Sequence, residues 1–196
     1  MKRLQNSVLA ATLSLGIGVV FTSCKKKPIE KSPVPAGEVT ILEKCSGQQY
    51  FSDKNTFRAT ATGESMDRET AKKKARSNAN AELAKTIKVT MKIVGDNYVN
   101  SSEFNNKEEV TETFNEMSRT VVDQELQGAM KICDELTRNT TTGNYVAYIA
   151  IELSGTKLAD SYNDKLSKDE RIKVEYNYEK FKETFEEEMR KLEEQN

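Results

Sequence analysis

YVAYIAIEL, residues 145–153, alternates with a two-residue period: Tyr145, Ala147, Ile149, Ile151 and Leu153 share one face. Successive strand side chains point to opposite faces, so this pattern describes a strand with one side buried. Immediately upstream, RNTTTGN (Arg138 to Asn144) reads as a loop. Before it, Leu126 to Thr137 alternates again, with Leu126, Gly128, Met130, Ile132 and Leu136 on one face. Gln127, Lys131, Cys133 and Glu135 occupy the other. Two such runs joined by a short Thr/Gly/Asn loop predict an antiparallel hairpin.

Working outward, TFRATAT (Thr56 to Thr62) sets Phe57, Ala59 and Ala61 against Arg58, Thr60 and Thr62, a third half-buried strand ending at Gly63. Ser65 is a plausible cap for the helix that follows. From Met66 to about Tyr98, the residues Ala71, Ala75, Ala79, Leu83, Ile87, Met91 and Val94 recur at three or four positions and form one apolar stripe. Its alanine end lets the helix approach a sheet closely. Asn100 to Glu109 is polar and turns the chain. A second helix, Lys107 to Val122, gathers Val110, Phe114, Met117 and Val121 on one side. Ser154 caps a short helix through Leu158 and Tyr162. Ser167 and Glu170, three apart, fit a capping box opening a long C-terminal helix over 168–194, striped by Tyr178, Phe181, Phe185, Met189 and Leu192. The predicted class is α+β: a small antiparallel β-sheet of three strands in the order β-α-α-β-β-α-α, with helices packed on one face.

The N-terminus has a different character. Lys2 and Arg3 precede an uncharged apolar run, Ser7 to Phe21, and then the small residues Thr22 and Ser23 before Cys24. Charge, apolar core and small residues in that order form a secretory signal. The run is shorter than the roughly 18–20 residues a spanning helix needs. Phe21-Thr22-Ser23-Cys24 resembles the lipobox of bacterial lipoproteins, with Phe where Leu is usual. The resemblance implies cleavage after Ser23 and lipidation of Cys24 by acyl chains such as palmitate. Each buried CH₂ then contributes roughly 0.8 kcal/mol to membrane anchoring. Residues 24–37 begin Lys25-Lys26-Lys27-Pro28, hold all three prolines and show no apolar period, as expected of an extended tether. Lys25 follows the cysteine where an Asp would signal inner-membrane retention, and the tether lacks the acidic run of surface-exported lipoproteins. The implied address is the outer membrane, lipid-anchored and facing the periplasm. The expected organisation is thus a signal peptide over 1–23, a tether over 24–37 and a single periplasmic domain over 38–196.

Composition narrows the chemistry. The chain has no histidine, which removes Ser-His-Asp and Cys-His nucleophilic systems and imidazole metal sites. No Gly-rich phosphate loop, CxxC or EF-hand spacing occurs, so no cofactor, metal or catalytic residue is assigned and an enzyme is not expected. The net charge of −1 becomes two units more negative once Lys2 and Arg3 are cleaved away, unlike a nucleic-acid binder. Of three cysteines, Cys24 is assigned to lipid. Cys45 and Cys133 remain in an oxidising compartment, and an even count there predicts a disulfide. Cys133 falls on the strand face turned away from the helices, where the segment carrying Cys45 could cross it.

The lipobox, the strand ending in TATGES, the Ala-rich helix ETAKKKARSNANAELAKTI and the strand YVAYIAIEL together resemble the lipoprotein-twenty ("LPP twenty") family of bacterial outer-membrane lipoproteins. The resemblance spans roughly Cys45 to Leu166 and omits the acidic C-terminal helix. It implies a β-α-β-β core like that of dodecins and of a secreted tumour-necrosis-factor-inducing protein. It carries over no catalytic residue, because the family pattern contains none.

Two surfaces attract functional readings. Lys85, Lys88 and Lys92 line one face of the first long helix, preceded by Lys72-Lys73-Lys74 and Arg76, and offer a dock for an anionic partner. The aromatic stripe of the C-terminal helix reads either as core or as a seam for a homodimer or another protein. The functional expectation is a structural or interaction module of the cell envelope, with another envelope protein or peptidoglycan as partner. The alternative is a small-ligand carrier using a cleft between sheet and helices.

Overall fold

The computed structural model describes residues 43–196 together with Gly37, Glu38 and Ile41. Cys24, the signal segment and the tether before Gly37 lie outside the described residues. One unit runs from Ile41 to Asn196 and holds every element named below. These are β1 (Thr56–Ser65), α1 (Arg68–Ser101), α2 (Lys107–Glu125), β2 (Met130–Arg138), β3 (Tyr145–Ser154), α3 (Gly155–Leu166) and α4 (Tyr178–Glu194). The class is α+β, with one antiparallel sheet in the order β1-β3-β2.

The central strand is β3, the best-patterned run of the sequence. Its Ala147, Ile149, Ile151 and Leu153 are buried. Phe57, Ala59 and Ala61 of β1 stand opposite Leu153, Ile151 and Ile149, so the two apolar faces merge. Helix α1 lies across β1 and β3 and buries its whole predicted stripe, from Ala71 to Val94. The approach is closest at Gly63. A Cβ there would sit 2.4 Å from the Ala75 backbone N and 2.5 Å from the Ala71 carbonyl O. Past Ala79 the stripe switches to larger residues, and α1 also packs on α2 and α4.

At the far end of α1, Tyr98 organises an aromatic cluster. Its ring lies 5.6 Å from those of Phe104 and Phe114 and 6.0 Å from those of Tyr176 and Phe181. Its hydroxyl accepts from the Asn177 backbone N–H at 2.8 Å. Asn177 in turn caps α4, its side chain accepting from Lys180 N–H at 3.0 Å. Phe181, Phe185 and Met189 of α4 are buried, with Tyr178 and Leu192 partly so. The stripe is therefore occupied by this chain's own core.

Several local expectations are corrected. The last helix begins at Tyr178, not at 168. Asp169 accepts from the Arg171 N–H and guanidinium at 3.0 Å, and Arg171 also reaches Glu116. Residues 168–176 form turns that plant Ile172 in the core. Strand β1 runs through Gly63 to Ser65, and the cap of α1 is Asp67, which accepts from Thr70 N–H at 2.7 Å. Leu126 to Gly128 form a 3₁₀ turn ahead of β2. A β-bulge between Lys131 and Cys133 then shifts the register, so residues before it change faces. Met130, expected inside, is 63% exposed, and Lys131, expected outside, stands opposite Ile151 on the helix side. Cys133 and Glu135 follow the bulge and keep their outward direction.

Two substitutions test this packing. Gly63→Ala forces backbone against backbone, so unfolding by urea should show a loss at or above the roughly 1–3 kcal/mol usual for overpacking. Thr62→Ala, exposed beside it, should stay within about 0.5 kcal/mol. Phe185→Ala should cost about 3–5 kcal/mol.

Candidate functional site

The outer face of the sheet carries the cysteine pair. Cys45 and Cys133 are bonded, with Cα atoms 5.7 Å apart and a sequence separation of 88. Cys133 pairs with Ala150 across the strands, and the bridge leaves Ala150 fully buried on the face opposite α1. Cys45 itself sits at φ 53°, in the left-handed region that non-glycine residues rarely adopt. Lys44 extends the attachment by an ion pair with Glu135 at 3.1 Å. Nearer the start of β1, Arg58 spans Asp53 at 2.7 Å and Glu152 at 3.0 Å. The segment 43–53 is thus fastened to the sheet at both ends.

The three lysines proposed as an anionic-partner face do share one side of α1. Two of them are engaged: Lys85 lies 3.8 Å from Glu82, and Lys88 lies 3.5 Å from Asp123. Lys92 is exposed. Val89 and Ile93 beside them are 55% and 42% exposed, and a shallow cleft there also takes in Glu188 and Lys191. Its charges are mixed.

A second cluster of cations is more concentrated. Because α1 covers β1 and β3, the helix side of β2 stays open, and a groove of about 370 Å³ runs between it and the first turns of α1. Lys72, Lys73 and Arg76 enter from the helix, Lys131 and Asp134 from β2, and Ala75, Ala147 and Ile149 line it. Lys131 is there because of the bulge. It hydrogen-bonds Asp134 and so holds that carboxyl below the ordinary carboxylate range, against burial that pushes it up, and nearby Lys72 adds to the effect. Arg76 donates to the Ala129 carbonyl at 2.9 Å. Among the described residues, Lys72 and Lys73 form no ion pair. The Lys72–Arg76 run was visible in the sequence. The β2 contribution was not, since Asp134 merely interrupted an apparent apolar face.

A larger cleft of about 520 Å³ lies beside α3 and α4, lined by Lys54, Asp160, Tyr178, Lys182, Glu186 and Arg190 among others. Arg190 is held by Glu187 at 3.1 Å and Glu194 at 2.6 Å. Two carboxylates are buried elsewhere, each between helices. Glu125 accepts from Ser161 at 2.8 Å with Lys157 at 3.3 Å, and Glu188 accepts from Asn97 at 2.9 Å and Lys191 at 2.7 Å. Among the described residues there is no cluster of metal-ligating side chains, and no helix is long and apolar enough to cross a membrane.

No protein-family model matches the chain, and no curated protein matches it.

The disulfide closes a loop of 88 residues, for which chain entropy gives roughly 4–5 kcal/mol as an upper figure. The double variant Cys45→Ser, Cys133→Ser should lose stability by up to about that amount in urea unfolding. Its far-UV circular dichroism should be unchanged, because the apolar core lies on the other face of the sheet.

Proposed function

We propose that the chain is a cell-envelope lipoprotein, held by acylated Cys24 at the periplasmic face of the outer membrane, whose domain serves as a structural or interaction module. The observation that carries this reading is the sorting of the three cysteines. Cys45 and Cys133 are bonded to each other, a state that persists in oxidising compartments such as the periplasm. The remaining cysteine, Cys24, is the one that follows the apolar run and the small residues. The motif resemblance to the lipoprotein-twenty family implies the same setting. Partners of the module would be another envelope protein or peptidoglycan.

A second reading, a small-ligand carrier, is favoured by the open groove between α1 and β2. A volume of about 370 Å³ falls within the range of small-molecule sites, at its lower end.

Mass spectrometry of the mature protein should find an N-terminus at an acylated Cys24, and fractionation should place it with the outer membrane. Cys24→Ala should release soluble protein or stall processing of the signal. An unmodified N-terminus beginning elsewhere contradicts the lipoprotein reading.

A further inference from the structure

The domain is acidic overall, yet four cations converge in one groove. Lys72, Lys73, Arg76 and Lys131 enter the α1–β2 groove against only Glu69 and Asp134. Arg76 and Lys131 have direct partners, whereas Lys72, near Asp134, and Lys73, near Asp67, form no ion pair among the described residues. A ligand that supplies carboxylates would meet those two cations with charge-assisted hydrogen bonds, about twice as strong as neutral ones.

The arrangement also discriminates among anions. A phosphate group is usually received at a helix N-terminus, where backbone N–H groups converge. The N-terminus of α1 is already taken by the Asp67 carboxylate, which accepts from Thr70 N–H, and Glu69 stands beside it. The cations themselves are distributed along the groove, on both a helix and a strand, with Asp134 between them. That spacing suits several single negative charges set apart on a chain better than one concentrated dianion. The floor of Ala75, Ala147 and Ile149 is small and apolar and admits a peptide backbone closely. Beside it, β2 is an edge strand, so its outward N–H and C=O groups are available to an extended segment. The wider cleft at α3 and α4 shows no such bias: it mixes Asp160 and Glu186 with its cations, and Arg190 is already bound to Glu187 and Glu194.

We infer that the groove between α1 and β2 is a binding site for a short acidic peptide, its separated carboxylates engaged by Lys72, Lys73 and the neighbouring Arg76 and Lys131. This rests on the carrier reading and names the chemical class of what is carried.

The test is a titration of the full-length protein, in detergent, with fluorescein-labelled triglutamate, followed by anisotropy. Triglutamine and inorganic phosphate serve as competitors. Triglutamate should bind, and its affinity should fall about tenfold or more in the Lys72→Gln, Lys73→Gln double variant, which removes two charge-assisted contacts. It should also weaken as ionic strength rises from about 0.1 to 0.5 M. The variant Lys85→Gln, Lys92→Gln, on the other face of α1, should bind as the parent does. Both double variants should melt as the parent does, since the substituted side chains lie outside the core. Triglutamine competing as well as unlabelled triglutamate would overturn the carboxylate class while leaving a carrier in place. Phosphate competing at lower concentration than unlabelled triglutamate would assign the groove to phosphate and overturn the proposal. No binding, or binding unaffected at Lys72 and Lys73, would remove both the ligand and the carrier reading of this groove. None of these outcomes bears on whether Cys24 is lipidated.

Discussion

The contact between Gly63 and the first turns of α1 sets the geometry of everything else. With the Ala75 N and Ala71 O positions only 2.4 and 2.5 Å from where a Cβ would stand, helix and sheet are nearer than any pair of ordinary side chains permits. Such an approach needs glycine on the strand and alanines on the helix, and the chain supplies both. It brings a 34-residue helix down over β1 and β3. The third strand is then left beyond the reach of α1. The groove lies in the space left between α1 and β2.

The opposite face of the sheet is governed by a covalent constraint. No helix covers it. The segment 43–53 is instead attached by the Cys45–Cys133 bond, the Lys44–Glu135 pair and the Arg58 bridge to Asp53 and Glu152. Holding Cys45 at a positive φ costs conformational energy of order 1–3 kcal/mol, which the surrounding attachments must offset. The sheet thus has one face closed by packing and the other partly closed by a cross-link.

How much of this was legible depended on whether periodicity carried the information. The stripe from Ala71 to Val94, the strand from Tyr145 and the β2–β3 hairpin were readable because burial on one face imposes a repeat of 3.6 or 2. The bulge at Lys131–Cys133 was not, since one extra residue leaves no composition signal, and it reversed Met130 and Lys131. The early start given to the last helix came from Ser167 and Glu170, whose spacing is right for a cap. The structure instead caps α4 at Asn177, whose N–H is tied to the Tyr98 hydroxyl by a long-range bond that no local pattern announces. Of the candidate sites, the cysteine pair could be reached by counting, because compartment and parity constrain it. The groove could be reached only in half, through the lysine run on α1. The other half depends on the bulge that turns Lys131 toward the helix.

If the α1–sheet contact is the element on which the fold depends, its amides should be the last to open. Native-state hydrogen exchange measures this directly, since each amide reports the free energy of the opening that exposes it. The amides of α1 between Ala75 and Ile87, together with those of β3 between Ala147 and Leu153, should exchange only through global unfolding and with equal free energies. Those on the free edge of β2 should open at lower cost. Exchange of the α1 amides well before those of β3 would show that the sheet stands without the helix, and would contradict the account.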